Sequence, residues 1–278
     1  MERAEKIVMT GIRKLLSSTR LYAEVRYFYR SARIILSKGK FLHQEFQGGE
    51  FTWELLPESQ RKYDPLFQDS SEQFASIIRP FTREFTWQIG RVYNAVFMSQ
   101  DVELLYSIVR HFRPKLVIEI GSGHSTSFVS QAMSRNGVGR ILSIDPVPRR
   151  SLPKRVESLK MKMEDVSRNV YTSLEAGDIL FIDAWHTREI ANYYTQHILP
   201  LLKSGVLIHI HDVAYPYQQA YEEELVVLDY FHNHQSQFNV LTGCSFVAWK
   251  TPKLVSELLP AYRWCTSRPG TSLWAMKR

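Results

Sequence analysis

The stretch Lys115–Thr126, K-L-V-I-E-I-G-S-G-H-S-T, decides how this chain is read. Its apolar run, Leu116 to Ile120, carries one acid, Glu119. A short apolar run of this kind reads as a strand buried on both faces, as strands of parallel sheets are. Gly121 and Gly123 follow at once. They permit a tight turn and let a ligand approach the backbone closely. Ser125 or Thr126 then offers a hydroxyl to cap a helix. Strand, glycine turn and helix start together form the nucleotide-cradling corner of a Rossmann-like sheet.

Outward from this corner, apolar runs recur at Arg140–Asp145, Asp178–Asp183 and Gly205–Asp212, with a weaker strand at Val156–Met161 between the first two. Helical or loop material separates them. The alternation predicts an α/β protein with a doubly wound, mostly parallel sheet. Val102–Phe112 reads as a helix stopped by Pro114 and feeding the first strand. Tyr217–His232 reads as the helix after the fifth strand. Phe238–Trp249 and Thr271–Met276 are strand-like and predict a closing pair at the sheet edge. Three of the runs end in an aspartate: Asp145, Asp183 and Asp212. Ligands of such sheets bind beyond the carboxyl ends of the strands, so these acids converge on one crevice.

The length of 278 residues suits one good-sized domain with an appendage. The division expected is a basic, amphipathic helical extension over residues 1–98 and the sheet domain over 99–278. Residues 1–40 hold ten Lys or Arg and three acids, which accounts for the whole net charge of +7. The remaining 238 residues are therefore neutral overall, and the sheet domain among them lacks the broad basic surface of a nucleic-acid binder. Within residues 1–37, Arg26, Arg30 and Arg33 share a helix face opposite an apolar one. That face either caps the core with its arginines solvated or lies on an anionic membrane surface. Two cysteines, Cys244 and Cys265, make neither a disulfide framework nor a metal spacing and point to a reducing compartment. No apolar run approaches the roughly 18 residues of a membrane span, and the N-terminus lacks the apolar centre of a signal peptide. The expected location is cytoplasmic, with residues 1–37 as the part that would meet the inner face of a membrane.

The acid in the first strand selects the ligand. A pyrophosphate at the turn would be repelled by Glu119, which argues against a dinucleotide. S-adenosylmethionine carries no phosphate and does carry an ammonium, which Glu119 would attract. The same turn, Gly121-Ser122-Gly123-His124-Ser125, would pass beside that cofactor. Asp145, 24 positions after Gly121, can accept ribose hydroxyls. Asp165 can accept the adenine amino group. The lesser alternative for Asp145 is a helix or turn cap before Pro146, and Asp165 reads equally as a solvated loop acid.

At the next two strand ends stand Asp183 and His209-Ile210-His211-Asp212. Carboxylates at close range repel unless one is protonated or a cation bridges them. Asp183, His211 and Asp212 form a mixed oxygen and nitrogen set suited to Mg²⁺ or Mn²⁺. The alternative is a metal-free hydrogen-bonded cluster. His209 points to the same side and reads as a packing histidine. His186, three residues past Asp183, titrates near neutral pH and can take a proton from an acceptor hydroxyl. Trp185 reads either as a substrate-stacking wall or as a packed loop residue, and Tyr215-Pro216-Tyr217 reads as a rigid aromatic loop that could contact the acceptor.

In this order the motifs resemble those of class I S-adenosylmethionine-dependent methyltransferases. F-I-D-A-W-H (Phe181–His186) and L-K-S-G-V-L-I-H-I-H-D (Leu202–Asp212) resemble, more narrowly, the methyltransferase 24 family, which is similar to macrocin-type sugar O-methyltransferases and cephalosporin-hydroxylase-type proteins. The likeness spans roughly residues 100–278. It implies a seven-stranded sheet with a reversed last strand and methyl transfer to a small acceptor, with surface-polysaccharide or natural-product chemistry as the setting. It implies contact of Glu119 with the methionine ammonium and of Asp145 with the ribose. It also implies a Mg²⁺ site at Asp183, His211 and Asp212. Histidine at the second of these positions departs from the family's acidic pair and favours Mn²⁺ or no metal. Trp185 stands where some relatives have a catalytic aspartate, which leaves His186 as the base, beside Asp183. The acceptor is then a small molecule, saccharide or glycolipid hydroxyl, and the oligomeric state stays open. Two other readings compete: an NAD-dependent oxidoreductase on the same sheet, and a non-enzymatic membrane-associated scaffold. Ser125 and Thr126 in place of a third glycine count against the first, and the intact strand-end acids count against the second.

Overall fold

A computed structural model of the chain describes residues 54–85, 97, 100–148, 151–218, 221–259 and 269–278. The basic amphipathic segment 1–37 lies outside the described residues. Seven strands form one sheet: β1 (Leu116–Ile120), β2 (Arg140–Ile144), β3 (Val156–Leu159), β4 (Ile179–Ile182), β5 (Leu207–Ile210), β6 (Phe238–Gly243) and β7 (Leu273–Lys277). Their order is β3-β2-β1-β4-β5-β7-β6. β1 to β5 pair in parallel, and β7 runs antiparallel to both its neighbours. The sheet is thus Rossmann-like, doubly wound and mostly parallel, with the last strand reversed.

Nine α-helices are described: α1 (Ser70–Ile78), α2 (Thr82–Phe85), α3 (Asp101–Phe112), α4 (His124–Asn136), α5 (Arg168–Thr172), α6 (Arg188–His197), α7 (Glu222–Asn233), α8 (Cys244–Lys250) and α9 (Pro252–Leu258). Alternate residues of each central strand face opposite sides. Val117, Ile179 and Leu207 join a core with residues of α1, α3 and α4. Ile118, Leu180 and Ile208 join another with residues of α6 and α7. Both faces are covered, which is why β1, β4 and β5 are mostly apolar, broken only by Glu119 in β1 and His209 in β5.

Several boundaries differ from expectation. The acids close the strands from just outside: Asp145, Asp183 and Asp212 lie one or two residues past β2, β4 and β5. The run Phe238–Trp249 does not stay extended. It turns helical at Cys244, because the apolar pattern of a buried strand and of a short buried helix are alike. β7 inserts between β5 and β6, so the last two strands are neighbours without forming a tight hairpin. The helix expected from Tyr217 begins at Glu222, because the chain first crosses residues 54–56, where Leu55 bridges Tyr217.

The described part of residues 54–85 packs into the same cores. Phe74, Ile77 and Ile78 of α1 lie against α3. Glu84 ties the segment down further: its carboxylate takes Arg110 at 3.1 Å, Arg135 at 3.2 Å and the Tyr106 hydroxyl at 2.5 Å. Among the described residues no helix is long and apolar enough to cross a membrane.

Candidate active site

β1 delivers Glu119 into the core, fully buried. Its Oε1 accepts the Ser125 hydroxyl at 2.5 Å, while its Oε2 makes no well-formed hydrogen bond among the described residues, the Thr126 hydroxyl lying near enough only to favour the ionised acid. Burial, reinforced by the negative Asp183 and Asp145, raises its carboxyl to about 8. An acid at this depth with one bare oxygen is a costly element to keep unless a cation meets it.

The turn above it is tight for a specific reason. Gly121 has φ +83°, and a Cβ there would collide with the carbonyl oxygen of Asp183. At Gly123 a Cβ would meet nothing within 4 Å among the described residues. Its side of the turn is open to a ligand. Gly123 itself is the N-cap of α4, and the Thr126 hydroxyl reaches back to accept its N–H at 3.0 Å. Of the two hydroxyls expected to cap the helix, Ser125 serves Glu119 instead, because it faces the strand.

Asp145 bridges two turns. Its Oδ2 accepts the Ser122 N–H at 3.0 Å and the Ser122 hydroxyl at 2.7 Å, and its Oδ1 accepts the Val147 N–H at 2.9 Å. It is therefore a turn cap, and its half-exposed carboxylate keeps acceptor capacity on Oδ1. Asp165 ends the short turn Met163–Asp165 after β3 and is exposed. Around the same strand ends, Val147, Met161 and Trp185 are exposed large apolar residues, Trp185 by 74%.

The second half of the site follows β4 and β5. Asp212 has φ +58°, a left-handed backbone that is uncommon away from glycine and concentrates at functional positions. Its Oδ1 accepts the Thr271 hydroxyl at 3.0 Å and lies 3.5 Å from Nε2 of His211. Its Oδ2 is 3.0 Å from Nε2 of His186. The other ring nitrogen of His186 is 2.8 Å from Oε2 of Glu223, and Oε1 of Glu223 accepts the Tyr194 hydroxyl at 2.6 Å. The His186 ring also stacks on Tyr221, 4.6 Å between centroids.

Charge follows from this geometry. Burial alone would lower both imidazoles. For His186 the hydrogen bond to Glu223 and the nearby Asp212 outweigh it, and the ring's pKa is raised. For His211 the carboxylates of Asp212, Asp183, Asp101 and Glu223 outweigh it and raise it to about 9. His209 goes the other way. It is fully buried, stacked on Phe181 at 3.8 Å and held by Ser272 at 2.9 Å, and burial keeps it neutral. It is the packing histidine its position suggested.

A divalent metal was expected on Asp183, His211 and Asp212. Among the described residues no three imidazole, carboxylate or thiol groups are arranged to hold an ion. Both oxygens of Asp212 already face donors, one the Thr271 hydroxyl and one His186. Each of these oxygens keeps a second lone pair, and Asp183, His211 and Asp212 are the residues that would hold an ion here. Tyr215, expected at the acceptor, instead packs inward. It is 1% exposed, stacks on Phe67 and donates its hydroxyl to Asp64 at 2.5 Å.

Three residues of this cluster escaped the sequence reading: Glu223, Thr271 and Asp101. Asp101, buried at the start of α3, accepts the Ser272 N–H at 2.8 Å. Glu223 had a legible signal. It shares a helix face with Val227 and Phe231 at i, i+4 and i+8, so an acid lay on an apolar stripe. Thr271 had none, since only the reversed path of β7 brings it to β5.

Residues 118–213 match a family model described as a methyltransferase domain. No curated protein matches the chain. Among solved structures, the chain is similar to an O-methyltransferase from Bacillus cereus in complex with SAH, at 14% identity over 81% of this chain and 98% of that one, with a TM-score of 0.44. It is similar to the O-methyltransferase TomG from Streptomyces achromogenes, in complex with SAM, at 15% identity over 81% and 96%, TM-score 0.41. It is also similar to cofactor-bound Rv0187 from MTB, at 14% identity over 79% and 96%, TM-score 0.44.

Proposed function

We infer that this chain, a class I methyltransferase by its matched domain and its sheet, uses S-adenosylmethionine to methylate a hydroxyl group of a small molecule or saccharide. One observation carries the reading: Glu119, fully buried, holds an unpartnered oxygen directly below a glycine turn that is open on its outer side. That arrangement suits an ammonium, which draws out the ionised acid, and offers a pyrophosphate no cation.

When bound, S-adenosylmethionine supplies a methyl group activated by its sulfonium charge. Glu119 binds the ammonium. Gly121, Ser122, Gly123 and His124 form the wall beside it, with Ser125 fixing the Glu119 rotamer. Asp145 offers Oδ1 to the ribose, and Asp165 accepts the adenine amino group. Since Ser122 already occupies Oδ2 of Asp145 with two donors, one ribose hydroxyl is held by this carboxylate.

The acceptor's proton goes to the hydrogen-bonded pair of Asp212 and His186. Asp183, on the adjacent strand end, helps to hold the positive charge in place. Alignment of acceptor and methyl in a dry crevice supplies most of the rate. Exposed Trp185 next to His186 gives the acceptor an apolar wall, which suits the ring face of a saccharide.

Calorimetric titration tests the reading. Saturable binding of S-adenosylmethionine with no binding of NAD is expected; the reverse would establish an oxidoreductase instead. A labelled methyl-donor assay against saccharide and glycolipid extracts then identifies the acceptor class.

A further inference from the structure

A second concavity lies away from the strand-end acids. α6 and α7 each carry the chain back from the carboxyl end of a parallel strand, so their last turns sit beside the strand starts. Between those turns is a cleft of about 600 Å³, a size that holds a small ligand. Four amides from three elements line it: Asn192 and Gln196 of α6, Asn233 of α7, and Gln237 just before β6. Asn192 and Gln196 are four residues apart and share a helix face, as do Asp229 and Asn233. Two helices that pack together thus turn polar side chains toward one another over these turns. Much of that polar capacity is unspent. Asn192, Gln196 and Asn233 make no side-chain hydrogen bond among the described residues. Gln237 gives only its Oε1, to Nζ of Lys277 at 3.1 Å, and keeps both amide hydrogens. Asp229 gives only its Oδ1, to the Tyr63 hydroxyl at 2.7 Å and Lys62 at 3.0 Å, which fixes the carboxylate and leaves Oδ2. Tyr230, also in the lining, packs on His234 at 4.4 Å and on Phe238 at 5.5 Å between ring centroids, so its ring is held in place.

What the lining offers defines the ligand. An amide donates and accepts at once, as a sugar hydroxyl does, so the two match edge to edge. A fixed aromatic ring beside the amides takes the apolar face of a pyranose. Among the described residues the lining holds one carboxylate and no Lys or Arg, so nothing there neutralises a phosphate, sulfate or carboxylate. We propose that this cleft is a second, non-catalytic binding site for an uncharged saccharide. Its purpose rests on the methyltransferase reading. Asp229 to Asn233 lie roughly 10 to 16 Å along α7 from its first residue, which stands beside the crevice. An oligosaccharide spans that distance, held by its far end in the cleft while a hydroxyl nearer Asp212 is methylated. The binding itself does not rest on that reading, and neither does its test.

Heteronuclear NMR of the full chain, titrated in turn with the methyl glycosides of glucose, galactose, mannose, rhamnose and N-acetylglucosamine, decides the matter. At least one is expected to bind saturably, with the shifts concentrated in the side-chain amides of Asn192 and Asn233 and the ring of Tyr230. Asn192→Leu combined with Asn233→Leu removes two hydrogen-bonding partners and should weaken that binding about tenfold. The thermal midpoint of this variant should stay within a few degrees. Gln196→Lys, at an exposed position that leaves the core untouched, should weaken it likewise and keeps the test open if the paired variant folds poorly. Trp185→Ala, at the crevice, should leave the shifts in the cleft as they are. Binding lost with Trp185→Ala and kept in the cleft variants would put the sugar in the crevice and overturn the proposal. So would the absence of saturable binding by any of these glycosides, or tighter binding of glucose 6-phosphate than of the uncharged glucoside. If a glycoside seats in the cleft while S-adenosylmethionine fails to bind, the methyltransferase reading falls and the saccharide site stands. If S-adenosylmethionine binds and no glycoside reaches the cleft, the reverse holds.

Discussion

Glu119 is the residue on which the ligand choice turns, and its environment gives it a distinct signature. With its pKa raised to about 8, it is largely protonated in the free protein at neutral pH. An incoming ammonium reverses that preference, because an opposite charge in contact favours the ionised acid. Glu119→Gln keeps the shape and removes the charge. A charge-assisted hydrogen bond is worth about 1.5–3 kcal/mol, so the variant should bind S-adenosylmethionine roughly ten- to a hundredfold more weakly. Direct titration of the variant checks this. At Asp212 the prediction is catalytic. Asp212→Asn should lower methyl transfer by at least about a hundredfold, within the usual span of acid–base contributions, while the affinity for S-adenosylmethionine changes little. A labelled-methyl assay with parallel calorimetry separates the two effects.

At the scale of elements, the turn after β1 is held by packing and the start of β1 by one carboxylate. Gly121→Ala would force a φ of +83° on an alanine and drive its Cβ into the Asp183 carbonyl. The turn must shift, and both the thermal midpoint and cofactor binding should fall together. Asp178 works at the opposite ends of the strands, just before β4. Its Oδ1 accepts the N–H groups of Lys115 and Leu116 at 2.9 and 2.8 Å, and its Oδ2 accepts that of Glu175 at 2.9 Å. Asp178→Ala strands these donors and should cost about 3 kcal/mol in chemical unfolding, with ligand affinity retained in the folded protein. These elements also show what the sequence could reveal. Leu116–Ile120 was legible to the residue because a strand buried on both faces leaves a short, mostly apolar run between a proline-bounded helix and a glycine turn. Cys244–Lys250 was not, since its apolar residues suit a strand equally well. Glu119, Asp145, Asp183 and Asp212 were legible because strand ends can be counted along the chain. The His186–Glu223 contact was not, because it depends on how α7 is placed over the turn after β4, which no local pattern encodes.

For the whole molecule, two buried acids couple stability to pH. Burial raises both Glu119 and Glu224 to about 8. In the unfolded chain they ionise in the ordinary carboxylate range, near 4.5. Below that range both states hold the protons, and the folded protein has the full benefit. As pH rises toward 8 the unfolded state releases protons that the folded state keeps, and stability falls by about 1.4 kcal/mol per unit for each group before levelling off. Urea midpoints between pH 5.5 and 8 should decline accordingly, and Glu119→Gln or Glu224→Gln should each remove part of the slope. The same proton connects stability to ligand binding, because S-adenosylmethionine is expected to expel it from Glu119. The most direct test is calorimetric titration of S-adenosylmethionine at pH 7 in two buffers of different ionisation enthalpy. Saturable binding with release of a proton, both diminished in Glu119→Gln, is the predicted result. No binding, or binding without proton release that Glu119→Gln leaves unchanged, would contradict the account.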